Sequence, residues 1–461
     1  MHRIAMAVAL CVCSALISVH PVEAQNTAML SPDRLTLSNG LQVIMLRQSQ
    51  LPLVALRLVF RTGSTEDPAG KEGLTAITAS LLKKGAGERD AAEFVDAIDF
   101  HGGSINVDYS HDGVFLSASF LSRDVNLALM LLGDMVKRPH FSPEEVNRQR
   151  TQLLGAIDRT RERAGYLTNK FYRRLMYGSH PYSRQKLGTE RGLNAVVAED
   201  IRSYHQSHFV PGNAFLVVVG DLETDKLIRE IDLQLGDWQD TDIIENPLPP
   251  VHFPDTRKIL LVNKSDMNQA HVRVGSPGIK RNDPSYISIQ IANTIFGGGG
   301  FTSRLVDEIR VNQGLTYDIA SHFSSTVAPG TFTISSFTKT ESTGALITAI
   351  LAELDRLQLA GVTVDEVASS KQYLAGTFPL SLEGPNALAA QFAGMELFRV
   401  TEDYLRSYRR TLANTSPSDV QEAVQRSFFE HTYSIVVLGN SKAILPQLEQ
   451  FGPVEIVDYR N

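Results

Sequence analysis

The feature that most constrains the fold is a pattern that occurs twice, near the end of each half of the chain. In both places, helix-forming sequence leads into an apolar run that ends in glycine and a polar turn, at residues 215–221 and 433–440. An apolar run of this length that is followed by turn residues is typical of a β-strand. The repetition therefore predicts that the chain folds as two similar halves.

Each half also contains a strand pattern and marked helix starts. Apolar and small polar residues alternate at residues 114–120 and 332–335, which is typical of half-buried strands. Capping residues followed by acidic residues mark helix starts at residues 142–145, 363–366 and 416–419. The mixture predicts an α+β fold in which each half is an α/β sandwich, with an antiparallel-rich sheet and helices on one face.

The boundary between the halves is expected at a proline-rich segment, residues 237–256, which predicts an extended linker. At 461 residues the chain is too long for one hydrophobic core. We therefore expect an N-terminal half at residues 25–236 and a C-terminal half at residues 257–461.

Residues 1–24 resemble a secretory signal, with a short basic start, an apolar run and a small residue, Ala24, at the expected cleavage position. A retained membrane anchor is the alternative interpretation. Both cysteines, Cys11 and Cys13, lie in this segment, so the mature chain would have no disulfide or thiol chemistry. The net charge of −7 argues against a nucleic-acid partner. These features predict an exported, periplasmic protein with no membrane association after signal removal.

Five further motifs occur in the order and spacing of the pitrilysin/insulinase-type zinc metallopeptidases, and the chain resembles that family over nearly all of its length after the signal. They are a predicted hairpin at residues 35–43, Gly-Gly-Ser-Ile-Asn-Val at 102–107, the segment that runs from Tyr204 to Asn213, Gly-Gly-Gly-Phe-Thr-Ser-Arg-Leu at 298–305 and the segment that runs from Glu308 to Tyr317.

The resemblance implies a clam-shell that encloses a peptide chamber and is built from four homologous α+β domains. In the short-chain branch of the family, two chains of this length pair to form the chamber. The family holds peptide as an added strand on a sheet edge. Asn106 lies on the matching strand of this chain, and we expect it to bind substrate.

This chain departs from the family at the zinc site. The family carries H-x-x-E-H on a helix, where two histidines bind zinc and the glutamate acts as general base. The matching positions are Ala76, Ala79 and Ser80, and the position of the third ligand, a glutamate in the family, is Ala156. None of these side chains is a plausible zinc ligand or base. The resemblance therefore implies that this chain binds no zinc and has no catalytic residue of its own.

Arg310 and Tyr317 match a pair that the family places across the chamber from the zinc. There they donate hydrogen bonds to the substrate carbonyl or the developing oxyanion, which lowers the barrier. The sequence also predicts that Arg310 ends a helix, Gly314 caps it and Tyr317 begins the next strand. The alternative is that Arg310 forms a surface ion pair with Asp307 or another neighbour, and that Tyr317 is a half-buried strand residue.

Three functional hypotheses follow from these observations. The first is a non-catalytic subunit of a heterodimeric zinc peptidase, in which a homologous H-x-x-E-H chain binds zinc and this chain supplies Arg310 and Tyr317. The second is a peptide-binding or scaffold protein with no peptidase role. The third is an active hydrolase that uses a relocated site.

Overall fold

The computed structural model describes residues 31–241, 247–428 and 433–460. The predicted signal at residues 1–24 lies outside these residues, as does part of the predicted linker. In the part of the chain that is described, no helix combines the length and the apolar character that a membrane span requires.

The first half contains a mixed sheet whose strands lie in the order β1-β2-β6-β3-β5-β4. Only the β2–β6 pair is parallel among these neighbours. The strands are β1 (Asp33–Thr36), β2 (Gln42–Arg47), β3 (Leu53–Phe60), β4 (Ser104–Tyr109), β5 (Val114–Leu121) and β6 (Ala214–Gly220).

The second half repeats this plan, with strands in the order β12-β7-β11-β8-β10-β9. The parallel β7–β11 pair corresponds to β2–β6, and β8, β10 and β9 correspond to β3, β5 and β4. The strands are β7 (Ile259–Asn263), β8 (Gln269–Pro277), β9 (Ile319–Phe323), β10 (Thr331–Lys339), β11 (Ser434–Gly439) and β12 (Val454–Asp458). The repeated order confirms that the two halves are similar.

The helices lie between the strands. In the first half they are α1 (Leu74–Leu81), α2 (Ala91–Phe100), α3 (Val125–Lys137), α4 (Pro143–Arg161), α5 (Ala164–Tyr177), α6 (Glu190–Ala195), α7 (Ala198–His208) and α8 (Thr224–Leu235). In the second half they are α9 (Tyr286–Asn293), α10 (Thr343–Ala360), α11 (Val364–Thr377), α12 (Gly384–Leu397), α13 (Asp403–Asn414), α14 (Pro417–Ser427) and α15 (Ser441–Leu448). Two π-helical segments, Thr294–Gly298 and Val306–Asn312, follow α9.

The helix starts have the predicted caps. The Ser142 hydroxyl accepts the backbone N–H of Glu145 at the start of α4, and Pro143 is the first helical residue. Thr363 and Ser416 form capping boxes at the starts of α11 and α14. These local signals, together with the two mixed sheets, confirm the α+β class.

One helix of the second half, α12, packs against the sheet of the first half. Along β6, Leu216 and Val218 face the core shared with the helices of the first half. The alternate residues of β6 pack with Phe392 and other apolar residues of α12. β6 is therefore apolar at every position because both of its faces are buried.

The exchange is reciprocal, because α5 of the first half packs against the sheet of the second half. Phe171 and Tyr172 of α5 lie in one cluster with Val436 and Leu438 of β11. The Tyr172 hydroxyl donates a hydrogen bond of 3.0 Å to the carbonyl of Phe332 in β10. Each sheet thus has its own helices on one face and a helix of the other half on the second face, so the two halves interlock.

Candidate functional site

The zinc-helix positions lie on α1. Ala76 and Ala79 are fully buried, and Ser80 is half-buried. The Ser80 hydroxyl donates a hydrogen bond of 2.5 Å to the carbonyl of Ala76, one turn earlier. Ala76 and Ala79 therefore present only methyl groups, and the hydroxyl proton of Ser80 is donated to the backbone.

Ala156, at the position of the third ligand, lies on α4 and is half-buried. α4 packs against α1, so the matching positions share one region of the first half. Methyl groups have no lone pair to give, and zinc in proteins is bound by thiolate, imidazole and carboxylate groups. Among the described residues, no three His, Cys, Asp or Glu side chains are grouped so that they could hold a metal ion. The residues present at this place do not fit zinc.

The N-terminus of α1 is held by a buried carboxylate. The two oxygens of Asp67 accept the backbone N–H groups of Gly73 and Thr75, each at 2.7 Å. The Thr75 hydroxyl donates to Asp67 at 2.6 Å and lies 2.7 Å from the hydroxyl of Tyr204. Burial raises the pKa of Asp67 to about 6, while the hydrogen bonds from Thr75 and Gly73 lower it. The structure thus anchors the start of α1, the helix that carries Ala76, Ala79 and Ser80.

We expect Asp67→Ala to lower the free energy of unfolding by about 3 kcal/mol, because it leaves buried donors of Gly73 and Thr75 without an acceptor. Asp90→Ala is the matched control. Asp90 caps α2 through two backbone N–H groups at an exposed site, and its loss should cost about 1 kcal/mol. Urea denaturation at pH 8, where Asp67 is ionised, measures both values. Equal losses would contradict the anchoring role of Asp67.

Arg310 lies in the π-helical segment Val306–Asn312 of the second half, two residues before its end. Its guanidinium carbon stands 4.6 Å from the centre of the Phe301 ring, in cation–π geometry. Among the described residues, none of the ion pairs involves Arg310, so the surface pair with Asp307 does not form. Phe301 is 70% exposed and was not singled out from the sequence.

Tyr317 is 82% exposed and lies in the loop between that helix and β9. The prediction that it begins a strand is wrong, because β9 starts at Ile319. The chain turns at Gly314, whose φ of +63° favours glycine, and the loop continues one residue past Tyr317, to Asp318. Tyr317 is therefore not a half-buried strand residue, and its side chain is open to a ligand or a partner.

Asn106 is exposed on β4, next to the buried Ile105. β4 is the edge strand of the first sheet, so one of its sides faces no other strand among the described residues. A free edge can accept a peptide as an added strand. The structure therefore places Asn106, Arg310 and Tyr317 at accessible positions, the first on one half and the others on the second half.

Comparison with known proteins gives the family. The model described as Insulinase (Peptidase family M16) matches residues 42–190, and the model described as Peptidase M16 inactive domain matches residues 195–374. An uncharacterized zinc protease of Streptomyces coelicolor is 26% identical over 89% of this chain and 90% of its own length. A protein named non-peptidase homolog YmxG, from Helicobacter pylori, is 26% identical over 72% of this chain and 76% of its own length.

Two solved structures have the same fold. The peptidase M16 inactive domain from Pseudomonas fluorescens has a TM-score of 0.84 at 23% identity, covering 89% of this chain and 98% of that one. The periplasmic protease PqqL from Escherichia coli has a TM-score of 0.73 at 15% identity. The match covers 93% of this chain but 51% of PqqL, so PqqL is about twice as long.

Proposed function

We propose that this chain, which belongs to the peptidase M16 (insulinase) family, is a non-catalytic subunit of an exported zinc metallopeptidase. It pairs with a homologous chain that carries H-x-x-E-H and closes the peptide chamber. In the assembled enzyme it supplies Arg310 and Tyr317 to the active site of the partner, which holds the zinc.

One observation carries this proposal. The chain has no side chain that suits zinc at Ala76, Ala79, Ser80 or Ala156, yet it retains the Arg/Tyr pair on the opposite half. Among the described residues Arg310 has no acidic partner, and Tyr317 on the same half is exposed, so both side chains are open to a ligand. Groups of this kind suit stabilisation of a developing oxyanion, which needs donors that are in place before the reaction.

The length of PqqL supports the pairing. Because this chain matches about half of that protein, a unit of this size occurs there together with a second segment of similar length. Two separate chains can form the equivalent arrangement.

The description of PqqL as periplasmic agrees with export of this chain through the signal predicted at residues 1–24. The name non-peptidase homolog, given to the Helicobacter pylori relative, supports the lack of catalysis.

The first test is assembly. We expect the purified chain to hydrolyse no peptide and to contain no stoichiometric zinc by elemental analysis. When tagged and captured from the periplasmic fraction of its own organism, it should carry an equimolar homologue with H-x-x-E-H, identified by mass spectrometry. The captured pair should hydrolyse peptides, and a chelator should abolish this activity.

Each other outcome supports a different hypothesis. A monomer or a self-pair that binds peptide but does not hydrolyse it would support the binding or scaffold role. A purified chain that hydrolyses peptides would show a relocated active site. Either result would end the proposal of a subunit that completes a peptidase.

A further inference from the structure

A polar patch lies on the first sheet beside its free edge, on the face that α12 only partly covers. α12 packs chiefly on β3 and β6, where Ala55 and Val59 of β3 lie in one apolar cluster with it. The same face of β4 and β5 is polar, and its side chains on β4 are exposed. We call this surface the edge patch; it consists of Arg57, Ser104, Asn106, Asp108, Ser117 and Ser119.

Arg57 stands at the inner end of the edge patch. The register pairs Arg57 of β3 with Ser117 of β5, and Ser117 with Asn106 of β4, so the three residues form one row across three strands. Because α12 covers the flanking positions of β3, the guanidinium lies on the side of β5, with its carbon 5.5 Å from the centre of the Phe115 ring. The charged end of Arg57 is therefore directed toward the free edge at β4.

The donors of Arg57 have no acceptor in residues 31–241, 247–428 and 433–460, where Arg57 forms neither a hydrogen bond nor an ion pair. Its Nε and the hydroxyl oxygen of Ser117 are both buried without a hydrogen-bond partner. Burial lowers the pKa of Arg57, and the charge of Asp108, which is too far away for an ion pair, raises it. Buried polar groups are normally satisfied, so two unsatisfied neighbours indicate a place for an outside acceptor.

The second sheet offers a direct comparison. Arg273 of β8 matches Arg57, because each arginine pairs with the valine that lies three residues before the glycine at the end of the next strand, Val217 in β6 and Val436 in β11. The guanidinium of Arg273 donates to two carbonyls, at 3.0 and 3.4 Å, and the second is that of Gly165 on the exchanged helix α5. The protein thus satisfies one arginine of this matching pair and leaves the other open.

A peptide that is added to β4 brings side chains within reach of Arg57. Neighbouring strands are about 4.8 Å apart, so an added strand lies two spacings, roughly 10 Å, beyond β5. A peptide residue directly beside Asn106 points to the same face of the sheet as Asn106 does. A glutamate at this position can extend inward across Asn106 and accept charge-assisted hydrogen bonds from the guanidinium. The shorter aspartate reaches less far.

We infer that Arg57 makes the edge patch a subsite that selects glutamate in a bound peptide strand. The inference rests on the proposed function, because it takes peptide as the ligand of the chamber. It adds a substrate class, namely peptides whose added strand places a glutamate beside Asn106. Asn106 and Ser117 supply further polar groups along the path from the edge to Arg57.

Binding to the purified full chain tests this subsite, by fluorescence anisotropy at low salt. The probe is an N-terminally labelled decapeptide amide of alternating Thr and Glu, which places every glutamate on one face of a strand. Its counterparts carry Gln or Asp in place of Glu. We expect the Glu peptide to bind about tenfold more tightly than the Gln peptide, with the Asp peptide between them. Added salt should reduce the difference.

Three variants assign the preference to its residues. Arg57→Gln should bring the affinities of the Glu and Gln peptides within about twofold of each other. Asp108→Asn removes the acid nearest to the guanidinium and should strengthen binding of the Glu peptide about two- to fivefold. Arg229→Gln removes an exposed arginine from α8, which packs on α3 at the helical side of the sheet, and should leave the preference unchanged. Melting curves check the folding of all three.

Equal affinity for the Glu and Gln peptides would overturn the inference, as would no binding of either peptide or a Glu preference that persists in Arg57→Gln. These measurements need no partner chain, so they are independent of the assembly experiment. A chain that assembles into a zinc peptidase but does not prefer glutamate keeps the proposed function and loses the subsite. A chain that prefers glutamate but never assembles keeps the subsite and loses the subunit role.

Discussion

Arg310→Ala in the assembled peptidase should lower kcat about 100-fold and leave assembly intact. Removal of one preorganised donor from an oxyanion site costs about 100- to 1,000-fold in kcat. Arg310 is half-buried, its guanidinium is held over Phe301, and it has no acidic partner among the described residues, so its donors are available for substrate. Single-turnover kinetics with saturating peptide measure the chemical step, and gel filtration measures assembly.

Matched variants separate this role from general effects of charge. Arg410→Ala removes an exposed arginine from α13 and should leave kcat unchanged. Arg310→Lys keeps the charge but loses the planar, forked donor, and we expect an intermediate loss. Tyr317→Phe should cost about tenfold, the value of one hydrogen bond in the transition state. Full activity of both Arg310→Ala and Tyr317→Phe would contradict the transition-state role.

The elements that the sequence predicted are those fixed by local chemistry. Alternation along β5 and the caps of α4, α11 and α14 depend on residues within a few positions of each other, and the structure confirms them. The exchange of α5 and α12 was not predicted. An apolar helix surface shows that a helix is buried, but it does not show which sheet the helix covers. The continuous apolar runs of β6 and β11 were the available signal, because such strands need cover on both faces.

The sequence predicted only part of the candidate site, because local motifs do not show which distant residues come together in the fold. Family motifs indicated the positions that correspond to the zinc ligands and the Arg/Tyr pair, and the roles of these residues stay predictions. The stacking of Phe301 under Arg310 was not predicted, because the backbone between them turns through two helical segments.

The exchanged helices lead to the second large prediction. Phe392→Ala should lower the free energy of unfolding by about 3–5 kcal/mol, the usual cost of deleting a buried phenyl ring. Phe392 is 2% exposed and packs with residues of β3 and β6, although it belongs to the second half of the chain. Phe171→Ala on α5 is the reciprocal variant and should have a similar effect. Phe100→Ala, at a position 88% exposed on α2, should change stability by less than about 0.5 kcal/mol.

Hydrogen exchange shows which strands lose amide protection in each variant, and it tests directly whether each half stabilises the sheet of the other. Phe392→Ala should reduce amide protection most in β3 and β6 of the first half, whereas Phe171→Ala should reduce it most in β8 and β11 of the second half. This crossed pattern follows because each ring covers the sheet of the opposite half. If each substitution instead loosened only the half of the chain in which it lies, the two halves would be independent units. The proposed oxyanion donor Arg310 would then lack the rigid frame that preorganisation requires.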